Sequence, residues 1–462
     1  MTPTDTQPKQ PGETPELQHT LKQRHLSMIA LGGVIGAGLF VGSGAGIAAS
    51  GPAIVLLFAG AGFMVMLIMR MLGEMSAARP ASGSFSVQAE RELGPWSGFM
   101  SGWTYWIMLC VGVASEAVAA GAYAENLIGL LPAQAWMALF MAFFCFTNLA
   151  AVKNFGELEF WFAALKVGAI VAFLILGVLG ICGVIGDAPG MDNLTGHGGF
   201  FPTGMSGLAA GVLTAVFAYG GLETVTIAAA ESDDPVGNVA RAVRTAVWRI
   251  AIFYVGSMAV VVTLVPWDSP ALATDGPYVA VLDELGIPAA GKIMQAVVLV
   301  ALLSAMNANI YGASRMSHSL ALRGEGPAFL RKIVKGVPMS AVMASCAFGF
   351  FAVVLNMVSP DKVFTWLMNT TSVAILIVWT LTCVTQLRMR RRLEREAPEL
   401  LVVKMWGFPY LTYLVLVAIA GIFVVLASTP DGRDQLLVSA VIFGALAISG
   451  VVRVRRRRRA AH

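Results

Sequence analysis

Leu31-Gly32-Gly33-Val34-Ile35-Gly36-Ala37-Gly38-Leu39-Phe40 places four glycines within seven residues of an apolar run. Each glycine costs a helix about 1 kcal/mol against alanine. The run therefore has two readings. Either small residues let two helices approach closely in a membrane, or the helix is broken near mid-membrane. A break would free backbone N–H groups to face an anion such as a carboxylate, aided by the dipole of the following half-helix.

A second glycine-interrupted run, Phe217-Ala218-Tyr219-Gly220-Gly221-Leu222-Glu223, lies in the middle of a later apolar span. Apolar segments are read at 27–47, 51–74, 98–126, 133–151, 157–185, 204–232, 247–267, 291–321, 337–358, 362–387, 407–427 and 434–453, numbered here as helices 1 to 12. The two interrupted segments are then helices 1 and 6. A spacing of five makes them enter the membrane from opposite sides, the sequence sign of two inverted repeats. One break offers amides to a carboxylate, and the exposed carbonyls of both accept from an ammonium. That combination of donors and acceptors suits a zwitterion of amino-acid size.

The composition agrees with a lipid-embedded chain. Of the 462 residues 57% are hydrophobic and 13% charged, against about 25% charged in soluble domains. Mean hydropathy is +0.74. Apolar runs of about 20 residues match the roughly 30 Å hydrocarbon layer. They are continuous rather than alternating, so they are helices rather than barrel strands. The expectation is an all-α polytopic membrane protein of about 12 transmembrane helices. Its parts are a disordered cytoplasmic tail (1–26), a ten-helix core (27–387, in repeats of about 27–185 and 204–387), two peripheral helices (407–453) and a basic tail (454–462).

Charge sets the orientation. With the N-terminus inside, 27 of the 31 Lys and Arg residues fall on inside segments. Lys292, Lys362 and Arg433 fall outside, and Lys166 lies within the membrane. The positive-inside rule thus places both termini in the cytoplasm of a cytoplasmic (inner) membrane. The terminal run Arg453-Val454-Arg455 to Arg459 reads as a flank attracted to anionic lipid, and nucleic acid is not expected as a partner. Cys110, Cys145, Cys182, Cys346 and Cys383 fall in apolar runs without paired spacing and read as packing residues. There is no Walker A loop, GxSxG or HExxH motif. No catalytic residue, metal ligand or cofactor is expected, and no oligomeric state is assigned.

Ionisable residues within the membrane are costly and mark function. The candidates are Glu116 in helix 3, Lys166 in helix 5, and Glu223 and Glu231 in helix 6, with Glu74 at the inner end of helix 2. Lys166 either snorkels to the inner interface or gains and loses a proton during a cycle. Glu231 either pairs with the neighbouring basic loop or takes part in proton coupling. Glu116 either binds a proton or a cationic group, or fixes helix packing.

Several strings carry a resemblance. GVIGAGLFVGSG (33–44), GEMSAARPASGSF (73–85), KNFGELEFWFAALK (153–166), AAAESDDP (228–235) and SRMSHSLALRGEGP (314–327) together resemble the bacterial amino acid transporter family, within the amino acid–polyamine–organocation superfamily. VTIAAAESDDP, TAVWRIAIFYVGS and QLRMRRRL look most like its γ-aminobutyrate permeases. The resemblance implies a leucine-transporter-like fold with helices 1–5 and 6–10 as inverted repeats. It implies proton-coupled symport of a small amino acid, with γ-aminobutyrate as the expected substrate. An aromatic or proline permease is the alternative, and a membrane amino acid sensor is a reading of another class. The implied carboxylate site is Gly36, Ala37 and Gly38. Carbonyls near Val34 and from Phe217 through Ala218 to Gly220 would take the amino group, with Phe217 as gate, and Lys166 matches a lysine that replaces a sodium ion in related carriers. Ala37 stands where many members have Ser or Thr.

Overall fold

The structure is a computed structural model that describes residues 35–79, 84–150, 155–222, 235–287, 289–334 and 336–460. Among these the chain is helical, with one isolated bridge between Val334 and Val337 and no strand. In hydrocarbon a helix satisfies all its own backbone groups, which is why long apolar runs take this form. Nine helical runs of described residues are long and apolar enough to cross a membrane. The first, Gly38–Ala78, is interrupted at Gly51, whose φ of +63° breaks the helical course. Two shorter apolar helices, Ala133–Leu149 and Gly204–Tyr219, accompany them.

Helix 3 (Pro95–Ile128) runs through the centre, with 83% of its apolar stretch buried inside the molecule. Pro95 opens it, where a missing N–H costs nothing, and left-handed Gly129 closes it. Small residues let its neighbours approach. Gly102 faces Leu320 and Gly112 faces Asn309 of helix 8 (Ala290–Leu322). Helices 11 (Tyr410–Ser428) and 12 (Pro430–Arg455 in its apolar part) bury only 22% and 17% of theirs.

Boundaries differ from the sequence reading where local chemistry extends a helix. Helix 10 is observed at Pro360–Glu396, continuing nine residues past its expected end through a basic run. Strong helix formers carry it, together with the i,i+4 pairs Arg390–Glu394 (2.6 Å) and Arg392–Glu396 (3.4 Å). Glu74, fully buried at the inner end of helix 2 (Ile54–Ala78), accepts from Arg390 Nη1 (3.0 Å), Gln386 Nε2 (3.3 Å) and the Met405 N–H. That acid therefore ties helix 2 to helix 10 and the segment that follows it.

Residues 268–290, between the expected helices 7 and 8, contain the helices Ala271–Thr274 and Pro277–Glu284. They fold inward. Tyr278 is fully buried, with its ring 4.9 Å from Phe40 and 4.3 Å from Phe173. Gly276 (φ +86°) passes so close that a Cβ there would lie 2.2 Å from the Tyr123 hydroxyl. Four of the five cysteines are buried. Cys182 is the exception, exposed just past Ile181 at the end of helix 5 (Phe155–Ile181).

Candidate functional site

Helix 1 enters the described residues at Ile35 and begins its helical course around Ala37 and Gly38. A π-helical turn, Gly38–Gly42, leads into the helix Ser43–Ser50. Single π turns are often found at functional sites. The amides at this start have no carbonyl one turn earlier in the described helix to bind. The Ala37 N–H donates instead to Glu116 of helix 3, at 3.0 Å to Oε1 and 3.1 Å to Oε2. The acid is buried. A carboxylate thus sits on an amide at the positive end of a half-helix, the geometry such an end favours.

The glycines flanking Ala37 face different neighbours. A Cβ on Gly36 would lie 2.3 Å from Glu116 Oε1 and 2.8 Å from the Ala305 Cβ. A Cβ on Gly38 would lie 2.5 Å from the Cα of Ala218, in the backbone of helix 6. Gly36 leaves room for a carboxylate; Gly38 lets two helices touch. Both readings of the glycine string therefore describe parts of it.

Helix 6 begins at Gly204 and stops at Tyr219. Gly220 leaves the helical region (φ −58°, ψ 136°), and Gly221 has a φ of +92° that glycine tolerates freely. The Gly220 N–H still donates to the Phe217 carbonyl at 3.0 Å. The end at Ala218 and Tyr219 directs carbonyls out of the helix, the negative pole of its dipole. Phe217 is buried and meets Phe364 of helix 10 edge-on, with centroids 6.3 Å apart. The Gly38–Ala218 approach brings the start of one half-helix beside the end of the other.

Lys166, in helix 5, is fully buried, so its side chain does not reach the surface as a snorkelling lysine would. It interacts electrostatically with Glu159 and Glu116. Glu159 is an acid that the sequence analysis did not single out. It is buried, lies seven residues before Lys166 on the same helix face, and accepts from the Ser304 hydroxyl of helix 8 at 2.7 Å. Its i,i+7 spacing from Lys166, inside the quoted string 153–166, was the available signal. Arg249 was also passed over, because it was counted with the basic residues at the inner end of helix 7. It is buried beside Tyr219 and Tyr254, and among the described residues no group hydrogen-bonds its guanidinium.

Val34, Glu223 and Glu231 lie outside the described residues. Of the other candidates, the structure brings together Ala37, Gly36 and Glu116, and Gly38 with Ala218. Phe217 and Gly220 lie on the helix 6 side, where a Cβ on Gly220 would meet Ile375 Cδ1 at 2.5 Å.

Residues 25–462 match the family model described as amino acid permease. The chain is 47% identical over 439 residues to the γ-aminobutyric acid permease of Bacillus subtilis, covering 94% of this chain and 93% of that one. It is 41% identical to the γ-aminobutyric acid permease of Escherichia coli, covering 92% of each. It is equally 41% identical to the aromatic amino acid transport protein AroP of Corynebacterium glutamicum, covering 94% and 95%. Among solved structures it superposes on the manganese transporter of Eremococcus coleocola with a TM-score of 0.57 at 14% identity, covering 93% and 92%. At that identity the match speaks for the fold alone, which is leucine-transporter-like.

Proposed function

The chain belongs to the amino acid permease family, and we propose that it is a proton-coupled importer of a small amino acid, with γ-aminobutyrate as substrate. The observation that carries this reading is the hydrogen bond from the Ala37 N–H to both oxygens of Glu116. Glu116 there stands in for a substrate carboxylate. Its seat on the Ala37 amide supports the reading that this half-helix start takes such a group. A substrate carboxylate competes for the amide, and the displaced Glu116 becomes an acceptor for the ammonium. The carbonyls at Phe217, Ala218 and Gly220 supply further acceptors. Three carbons separate the charges of γ-aminobutyrate, which lets one end rest on helix 1 while the other reaches helix 3 or 6.

Proton coupling is assigned to Lys166, with Glu159 and Glu116 as the charges it answers to. Glu231 remains a second candidate from the sequence. An ionised amine in a low-dielectric interior must be paired, so protonation of Lys166 can follow the position of Glu116. We read twelve spans with both termini inside. The Gly38–Ala78 run then counts as two spans across Gly51, and the two shorter apolar helices each cross.

The test is uptake of labelled γ-aminobutyrate in proteoliposomes, with and without an inward proton gradient, with competition by a panel of amino acids. The reading expects gradient-dependent accumulation competed best by small ω-amino acids. A second reading, an α-amino acid permease for aromatic substrates, is favoured by the similarity to the C. glutamicum protein. Stronger competition by phenylalanine than by unlabelled γ-aminobutyrate would select it. Glu116→Gln removes a charge-assisted hydrogen bond and should lower γ-aminobutyrate uptake by about tenfold or more. Unchanged uptake in that variant would remove Glu116 from the ammonium site.

A further inference from the structure

Six arginines from three separate stretches of sequence converge on one open cavity of about 900 Å³ at one end of the bundle. Arg79 follows helix 2, Arg91 lies on the short helix Ser84–Leu93, and Arg388, Arg391, Arg392 and Arg395 lie on the extension of helix 10. Two acids, Glu92 and Glu396, share the lining, which leaves four positive charges uncompensated.

The acids are already engaged. Glu92 pairs with Arg392, and its backbone carbonyl accepts from Arg388 Nη1 at 3.2 Å. Glu396 also pairs with Arg392. Arg391 donates to the Tyr413 hydroxyl, and Arg395 Nε to the Arg391 carbonyl at 3.1 Å. Among the described residues the side chains of Arg79 and Arg91 have neither a hydrogen bond nor an ion pair. Like charges brought this close repel, and a bound anion relieves that repulsion.

We propose that this cavity binds a phosphate-bearing anion. A guanidinium fork matches phosphate oxygens in a bidentate manner. A single carboxylate would neutralise only one of the four surplus charges. Two sources share the chemistry: the headgroup of an anionic phospholipid, or a soluble phosphate. The flank of the cavity suits the headgroup. Arg391 reaches Tyr413 at the start of helix 11, where Leu414 and Val417 are 50% and 68% exposed and can lie along acyl chains. The site is independent of Gly36–Gly38 and of Lys166, so it stands or falls separately from the substrate assignment.

The full chain would be placed in nanodiscs of phosphatidylcholine alone or mixed with phosphatidylglycerol, and lipid retention and Tm measured. In a second arm, pyrophosphate would be titrated into the phosphatidylcholine sample. Wild type is expected to retain phosphatidylglycerol selectively and to melt higher in its presence. Each basic group near a charged surface contributes about 1 kcal/mol, so Arg79→Gln with Arg91→Gln should weaken the response about thirtyfold. Amino acid uptake by that variant in phosphatidylcholine liposomes certifies its fold, and Arg388→Gln with Arg395→Gln is read in the same way. A response to pyrophosphate alone supports the site and names a soluble ligand. No response of wild type in either arm overturns the proposal, whatever the variants do. A response that both double variants retain in full also overturns it, because the remaining basic surface would then account for the effect.

Discussion

The interrupted ends of helices 1 and 6 touch at Gly38 and Ala218, yet they present opposite poles. Helix 1 offers its start, where the Ala37 N–H holds the Glu116 carboxylate. Helix 6 offers its finish at Tyr219, where carbonyls face outward and Gly220 and Gly221 turn the chain away. Two glycine-rich interruptions that look alike in sequence thus have different chemistry, one suited to an anion and the other to a cation. The same contrast divides the glycines of helix 1. Gly36 borders a carboxylate that can rotate, whereas Gly38 borders a backbone that cannot.

Gly38→Val should do the most damage. Its Cβ would press on the Ala218 Cα at 2.5 Å, so the two half-helices must part. Overpacking of this kind costs about 1–3 kcal/mol, and transport should be lost together with a lower Tm in detergent. A variant that melts like wild type would show that the helix 1–helix 6 approach is not tight.

Next comes Lys166→Ala. Accumulation driven by a proton gradient should vanish, while exchange of labelled for unlabelled substrate continues, because the substrate's two poles remain. Concentrative uptake by the alanine variant would make Lys166 a structural partner of Glu159 and nothing more.

Gly36→Ala sharpens the contrast with Gly38. The new methyl meets the end of the Glu116 side chain, which can swing aside, and also the Ala305 Cβ at 2.8 Å, which cannot. The Tm should therefore fall, but by less than in Gly38→Ala, where the contact is backbone. Substrate affinity should fall by roughly tenfold, because the methyl occupies space needed by a carboxylate on Ala37. Equal loss of stability in Gly36→Ala and Gly38→Ala would erase the distinction between the two glycines.

The smallest effect is expected for Gly220→Ala. Its φ of −58° suits any residue, and its Cβ meets the flexible Cδ1 of Ile375 at 2.5 Å and the Phe217 carbonyl oxygen at 3.2 Å. A KM raised by roughly twofold to fivefold is expected, with recovery when Ile375→Val removes that methyl. Complete loss of uptake would show that the Phe217 carbonyl cannot give way to the added methyl.

Much of this was legible in the residues alone. Hydropathy and run length are local quantities, so the membrane class and the apolar spans could be read without a fold. Glycine pairs weaken a helix wherever they stand, so the interruption at Gly220 and Gly221 was visible too. The extension of helix 10 was missed because a basic run looks like a loop in a hydropathy reading, although its Arg–Glu spacing of four was present in the sequence. The inward folding of 277–284 was missed because Tyr278 finds its partners, Phe40 and Phe173, on two other helices.

By itself the sequence determined an all-helical membrane chain, a broken sixth helix, and a few ionisable side chains with no aqueous place to go. Only the tertiary structure decided which groups those side chains meet. Glu116 reaches the Ala37 amide across 79 positions of chain, Glu159 finds Ser304 across 145, and six arginines from three segments surround one cavity. The physical reason is that a helix satisfies its backbone locally, while a buried charge must find its partner wherever packing places one.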